Sequence, residues 1–173
     1  EAGFSLLYEV RAQGMRRQPG EVCFPGGQLE SDESPEDCAL RETWEELGIP
    51  RKSIRILGRL DLVAHRANFI MYPILGVVDS SALDALRPNP AEVGDTFLTP
   101  LSWLRDNPPA DYRAEVISRM PEDFPYEAVG ISADYRRPSG RDFIPVYPSF
   151  NGHTIWGLTG RITRHLLALL QSD

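Results

Sequence analysis

The chain has 173 residues, 42% hydrophobic and 25% charged, the makeup of a globular domain rather than a fibrous, disordered or membrane-spanning one. A formal net charge of −7 argues against nucleic acid and anionic membrane as main partners, because both need a basic surface. A phosphorylated small molecule stays compatible, provided a cation or local arginines reverse the field.

Phe4 to Val10 reads as a strand. Arg11 to Gly20 is polar and basic, with Gly14, Pro19 and Gly20 marking a loop. Glu21 to Phe24 is a short strand stopped by Pro25-Gly26-Gly27. The clearest element follows. Ser34 is an N-cap, Pro35 occupies the first helical position, and Glu36 and Asp37 complement the helix dipole. Leu40, Trp44 and Leu47 recur at helical spacing before Gly48 and Pro50 end the run, which predicts a helix over 35–47. Strands are expected over 54–62 and 69–78, joined by a turn at His65-Arg66-Ala67-Asn68. Residues 84–90 read as loop, 96–98 as a short strand and 101–104 as the start of a short helix. The proline-rich stretch 107–149 shows no clean periodicity and reads as insertions and short strands. A terminal amphipathic helix is predicted over 158–170, with Ile162, Leu166 and Leu169 on one face. Strands interleaved with helices, with no repeat and no linker, predict one α+β domain over 1–173, a mixed sheet sandwiched between helices.

Cys23 and Cys38 lack metal-type spacing and make no disulfide framework, which predicts a reducing, cytoplasmic setting. The chain opens at Glu1 rather than Met, so an incomplete N-terminus and a lost targeting segment are allowed for.

The predicted helix 35–47 carries Glu42, Glu45 and Glu46, at i, i+3 and i+4 on one face, after Arg41. Seen alone, such a run is ordinarily a solvated, salt-bridged face. Three crowded carboxylates repel one another, however, and a hard divalent ion relieves that repulsion while keeping waters and reaching a substrate phosphate. Arg41 can pair with Glu45 or with Glu33 and orient the cluster.

The run does not stand alone. Gly27, five residues, Glu33, seven residues, Arg41-Glu42, then Glu45-Glu46 and Gly48-Ile49 together resemble the Nudix box over 23 residues. Thr43 departs from it, standing where an aliphatic is usual. The resemblance implies a Nudix hydrolase fold and a Mg²⁺- or Mn²⁺-dependent enzyme that cleaves a pyrophosphate bond. It implies Glu42 and Glu46 as principal metal ligands, Glu45 as a further or water-mediated one, and the Gly26 carbonyl beside them. Glu33 would support Arg41. The general base would be Glu45 or Glu92, with Glu46 also among the catalytic residues.

The flanks are similar to the coenzyme A pyrophosphatase branch. Leu6-Leu7, Arg11, Arg17, Gly20 and Phe24-Pro25-Gly26-Gly27 resemble its upstream motif, although the first half is one residue longer and lacks the usual threonine. Trp156-Gly157-Leu158-Thr159 resembles the segment opening its last helix. The implied substrate is coenzyme A or an acyl ester, giving 3′,5′-ADP and 4′-phosphopantetheine or its acylated form. Arg11, Arg16 and Arg17 would meet its extra phosphate, since arginine is the better planar phosphate ligand, and Phe24 would line the substrate. The partner is then a nucleoside diphosphate derivative, with no nucleic acid or membrane, and the chain a monomer or homodimer. ADP-ribose, dinucleotides or nucleoside triphosphates are alternative substrates, and a non-catalytic Nudix-fold sensor is the alternative outside enzymes.

Overall fold

The computed structural model describes residues 3–65, 68–132, 135 and 140–171. Its elements run β1 (Ser5–Arg11), β2 (Val22–Cys23), α1 (Pro35–Leu47), β3 (Ile54–Arg59), β4 (Val63–His65), β5 (Phe69–Met71), β6 (Ile74–Val78), α2 (Ser80–Leu83), β7 (Val93–Pro100), α3 (Leu101–Asp106), β8 (Ala110–Val116), β9 (Gly140–Val146) and α4 (Gly157–Leu169). This is the α+β class the sequence predicts. Among the described residues no helix is long and apolar enough to cross a membrane.

The central strand is β1, paired antiparallel with β2 on one side and with β7 on the other. Side chains alternate across a strand, and β1 uses both faces. Leu6, Tyr8 and Val10 pack with Val22, Phe97, Leu104, Tyr147, Ile155 and Leu167. On the opposite face, Leu7 packs with Leu47, Ile49 and Val93. The three-stranded sheet is therefore covered by α4 and α3 on one side and by the end of α1 on the other. Two hydrogen bonds pin α4 to the sheet: the Tyr8 and Thr163 hydroxyls meet at 2.8 Å, and Thr159 Oγ1 donates to the Val22 carbonyl at 3.0 Å.

Helix α1 begins and ends where its capping residues place it. The Ser34 side chain accepts from the Asp37 N–H, and Gly48 closes the helix in the left-handed region at φ 71°. Its inward face differs from the one predicted. Trp44 is 55% exposed, and the buried positions are Cys38, Leu40, Glu46 and Leu47. The face is thus set by a buried carboxylate, which apolar spacing cannot reveal. In α4 the buried residues are Gly160, Thr163, Leu166 and Leu167, while Leu169, expected inside, is half exposed in the last turn.

The strand predicted over 69–78 is two strands. Phe69–Met71 pairs with β4, and Ile74–Val78 pairs with β3. Pro73 lies at the break; it lacks an N–H for a ladder, and its carbonyl instead accepts from the Leu60 N–H at 3.0 Å. Within the predicted turn, Asn68 N–H donates to the His65 carbonyl, and Arg66 and Ala67 lie outside the described residues. The stretch 107–149 contains a long hairpin, with β8 and β9 in register from Ala110↔Val146 to Val116↔Gly140. Six of the seven β8 positions are exposed, so no buried alternation marked the strand in sequence.

Candidate active site

The Pro25-Gly26-Gly27 turn carries the chain from the edge of the sheet to α1, and it packs against that helix's acidic side. The Gly26 N–H donates to Glu46 Oε2 at 2.8 Å. Gly27 leaves room that a side chain would fill: a Cβ there would overlap the Glu42 carboxylate. The two glycines therefore let the loop backbone close over two of the helix carboxylates.

Arg41 organises the outer side. Its Nε and Nη2 donate to Glu33 Oε1 and Oε2, both at 3.0 Å, a bidentate pair. Nη1 donates to Glu42 Oε1 at 2.7 Å and Glu45 Oε2 at 3.1 Å, and Nη2 also reaches the Gln28 carbonyl at 3.3 Å. One guanidinium thus gathers three glutamates. It holds the Glu33 carboxyl below the usual range, chiefly by direct hydrogen bonding.

The three helix glutamates do not share one environment. The Glu45 side chain is 50% exposed and that of Glu42 14%, whereas Glu46 is buried at 5%. Burial is the largest cause that pushes the Glu46 carboxyl up, to about 8. The charge of Glu9 on β1 follows, with Glu42 and Glu92 adding to it and the Gly26 N–H opposing. The strongest repulsion on Glu46 therefore comes from the sheet, not from its helix neighbours.

Glu9 was not singled out in the sequence. It occupies the centre of β1, between Cys23 of β2 and Thr96 of β7 in register, and is 1% exposed. The Cys23 thiol donates to its Oε1 at 3.2 Å, while its buried Oε2 has no hydrogen-bond partner among the described residues. Burial raises its carboxyl, as do Glu92 and Glu42, against the Cys23 bond and the Arg11 charge. The available signal was local: one acid between Tyr8 and Val10 in a strand that supplies the core on both faces.

Glu92 lies in the turn before β7, and its charge acts on Glu9 and Glu46. That turn is fixed by the Glu92 N–H donating to the Asn89 carbonyl at 3.0 Å, and by the Glu92 carbonyl accepting from Ala12 N–H at 2.7 Å. The same Ala12 bond, with Arg11 N–H to the Glu21 carbonyl and Gly20 N–H to the Arg11 carbonyl, both 2.9 Å, holds both ends of the arginine loop beside it. Arg16 and Arg17 are exposed on that loop, and Arg11 Nε donates to the Arg17 carbonyl at 3.3 Å. Phe24, expected to line the substrate, is half-buried. Its ring stacks on Tyr8 at 4.8 Å and packs into the core, because alternation along the strand turns it to the face opposite Glu9.

Four carboxylates, those of Glu9, Glu42, Glu46 and Glu92, thus act on one another between sheet and helix. Among the described residues no group of three stands at metal-ligand geometry. Arg41 serves as counter-ion for Glu42 and Glu45, and the Gly26 N–H holds Glu46. The donor set is nevertheless all oxygen, net negative and partly buried, with one orphaned carboxylate oxygen, which fits a hard divalent ion. The raised Glu46 carboxyl gives a testable sign. A folded-state value above the unfolded one means the metal-free fold binds the extra proton, so this contribution is lost as pH rises from the ordinary carboxylate range through about 8. A cation needs the ionised form. The rise in melting temperature produced by Mg²⁺ should therefore be larger at roughly pH 9 than at roughly pH 6. Thermal melts at both pH values check this, and equal shifts would contradict it.

Comparison with known proteins bears on what such a site serves. Residues 6–129 match the NUDIX domain family model. The chain is 31% identical over 172 residues to Nudix hydrolase 3 of Caenorhabditis elegans, covering 98% of this chain and 68% of that protein. It is 32% identical over 168 residues to the mitochondrial coenzyme A diphosphatase NUDT8 of Mus musculus, covering 96% and 70%. Among solved structures, the binary complex of a C. elegans Ap4A hydrolase is similar with a TM-score of 0.47 and 16% identity, over 60% of this chain and 75% of that one.

Proposed function

This chain belongs to the Nudix family and is a pyrophosphohydrolase, and from that premise we propose that it hydrolyses the diphosphate of coenzyme A or its acyl esters. The products are 3′,5′-ADP and 4′-phosphopantetheine or its acylated form. The observation that carries the substrate is the arginine loop. Coenzyme A bears a 3′-phosphate besides its diphosphate, and Arg11 ends β1 while Arg16 and Arg17 stand on the loop that follows it, which is tied by a backbone hydrogen bond to the Glu92 turn. Arginine suits a terminal phosphate because its planar fork donates to two oxygens at once. The name of the mouse relative points to the same substrate.

In this reading Glu42 and Glu46, with the Gly26 carbonyl and a contribution from Glu45, would hold Mg²⁺ or Mn²⁺, which would supply charge neutralisation at the diphosphate and a more acidic water. Arg41 keeps Glu42 and Glu45 aligned through its anchor on Glu33. Glu92 is better suited as general base than Glu45. The Glu45 carboxylate is half exposed and paired with Arg41, whereas the charge of Glu92 acts on the buried acids Glu9 and Glu46, and in this reading Glu92 accepts the proton of the attacking water. Phe24, packed on Tyr8, acts as a wall behind the loop.

A ranking of kcat/KM for coenzyme A, acetyl-coenzyme A, ADP-ribose, NADH and nucleoside triphosphates tests the substrate. A coenzyme A derivative should lead. Far faster turnover of ADP-ribose than of every coenzyme A derivative would overturn the assignment while leaving the family unaffected.

A further inference from the structure

We propose that Glu9, in the middle of the central strand, is a ligand of the divalent ion, so that the cation site spans β1 and α1. The inference rests on the metal-dependent reading above and extends it to a residue outside the loop and helix.

Three observations carry it. First, Glu9 is almost completely buried, and its Oε2 has no hydrogen-bond partner among the described residues. Burying a carboxylate oxygen without a donor is costly, so native proteins pair such atoms. Second, the neighbouring charges do not relieve it. Glu42, Glu46 and Glu92 act on it or are acted on by it, and none supplies a hydrogen bond to Oε2. A cation beside Oε2 supplies that missing partner and offsets the repulsion that Glu9 exerts on Glu46. Third, the other oxygen is already fixed. The Cys23 thiol donates to Oε1, and pairing with Cys23 on one side and Thr96 on the other holds the backbone of Glu9 at the middle of the sheet. A ligand on a paired central strand is more rigid than one on a loop, so little ordering entropy opposes capture of the ion.

A purely structural role makes a different forecast. An acid buried only for packing would improve the fold when neutralised and leave metal binding alone. The probe is Mn²⁺ alone, titrated by calorimetry into the metal-free full chain, with Glu9→Gln as the near-isosteric neutral variant. Glu9→Gln should bind Mn²⁺ at least ~10-fold more weakly than the unaltered protein, while its metal-free melting temperature is unchanged or raised. Glu9→Asp, which keeps the charge but shortens its reach, should also bind more weakly, and it decides the matter if Glu9→Gln does not fold. Equal Mn²⁺ affinity in the unaltered protein and these variants would overturn the assignment of Glu9 and leave the pyrophosphatase reading standing. No Mn²⁺ binding by the unaltered protein would overturn both.

Discussion

Glu46→Gln should lower turnover by at least ~10²-fold, about 3 kcal/mol of transition-state stabilisation, with the fold intact. Glutamine keeps the size of the side chain and an oxygen to accept from the Gly26 N–H, so the local contact at 2.8 Å survives. What is lost is the negative charge at the most buried position of the helix cluster. In the metal-free protein that charge is opposed by burial and by Glu9, so its removal should leave the melting temperature unchanged or higher. A large loss of activity joined to an undiminished fold separates a site residue from a packing residue. Steady-state rates with Mg²⁺ and a thermal melt on the same sample suffice; an unchanged rate would mean that Glu46 does not hold the ion.

Gly27→Ala should produce the second large effect. The new methyl would occupy space taken by the Glu42 carboxylate. That group is the far end of a flexible side chain, so it can swing aside at little cost to the fold. Swinging aside takes it from the arrangement it shares with Arg41 and Glu46. We expect Mn²⁺ affinity and turnover to fall by at least ~10-fold, with the melting temperature lowered only slightly. Gly26→Ala is a poorer probe, because Gly26 has φ 158° and nothing crowds its added Cβ. Calorimetric titration of Gly27→Ala with Mn²⁺ checks the expectation, and affinity equal to that of the unaltered protein would show that Glu42 contributes nothing to the ion.

Much of this site was legible in the chain because its parts are local. Ser34, Pro35 and Gly48 set the ends of α1 through capping and backbone conformation, both of which depend on nearest neighbours. The glycine and glutamate spacing placed Gly27, Glu33, Arg41, Glu42 and Glu46 together because one turn and one helix connect them. Glu92 is positioned by the turn that leads into β7 rather than by spacing along the helix, and only the family resemblance points to it. Glu9 was missed for the same reason: its partners lie on β2, β7 and α1, and nothing in a seven-residue strand reports which face meets a helix carboxylate. Trp44 was misplaced because apolar periodicity assumed that the buried side of α1 is apolar, whereas Glu46 occupies it. The β8–β9 hairpin escaped notice because its first strand is exposed on both faces, leaving only backbone pairing, which sequence patterns do not record.

The most direct test of the central claim, that acids gathered from one strand, one turn and one helix hold a divalent ion for diphosphate hydrolysis, is a product assay on chelator-treated protein. Coenzyme A is incubated without metal and with increasing Mg²⁺, and the products are identified by mass. We predict no cleavage without metal, and equal yields of 3′,5′-ADP and 4′-phosphopantetheine rising to saturation as Mg²⁺ is added. Cleavage at the same rate without any divalent ion would contradict the account.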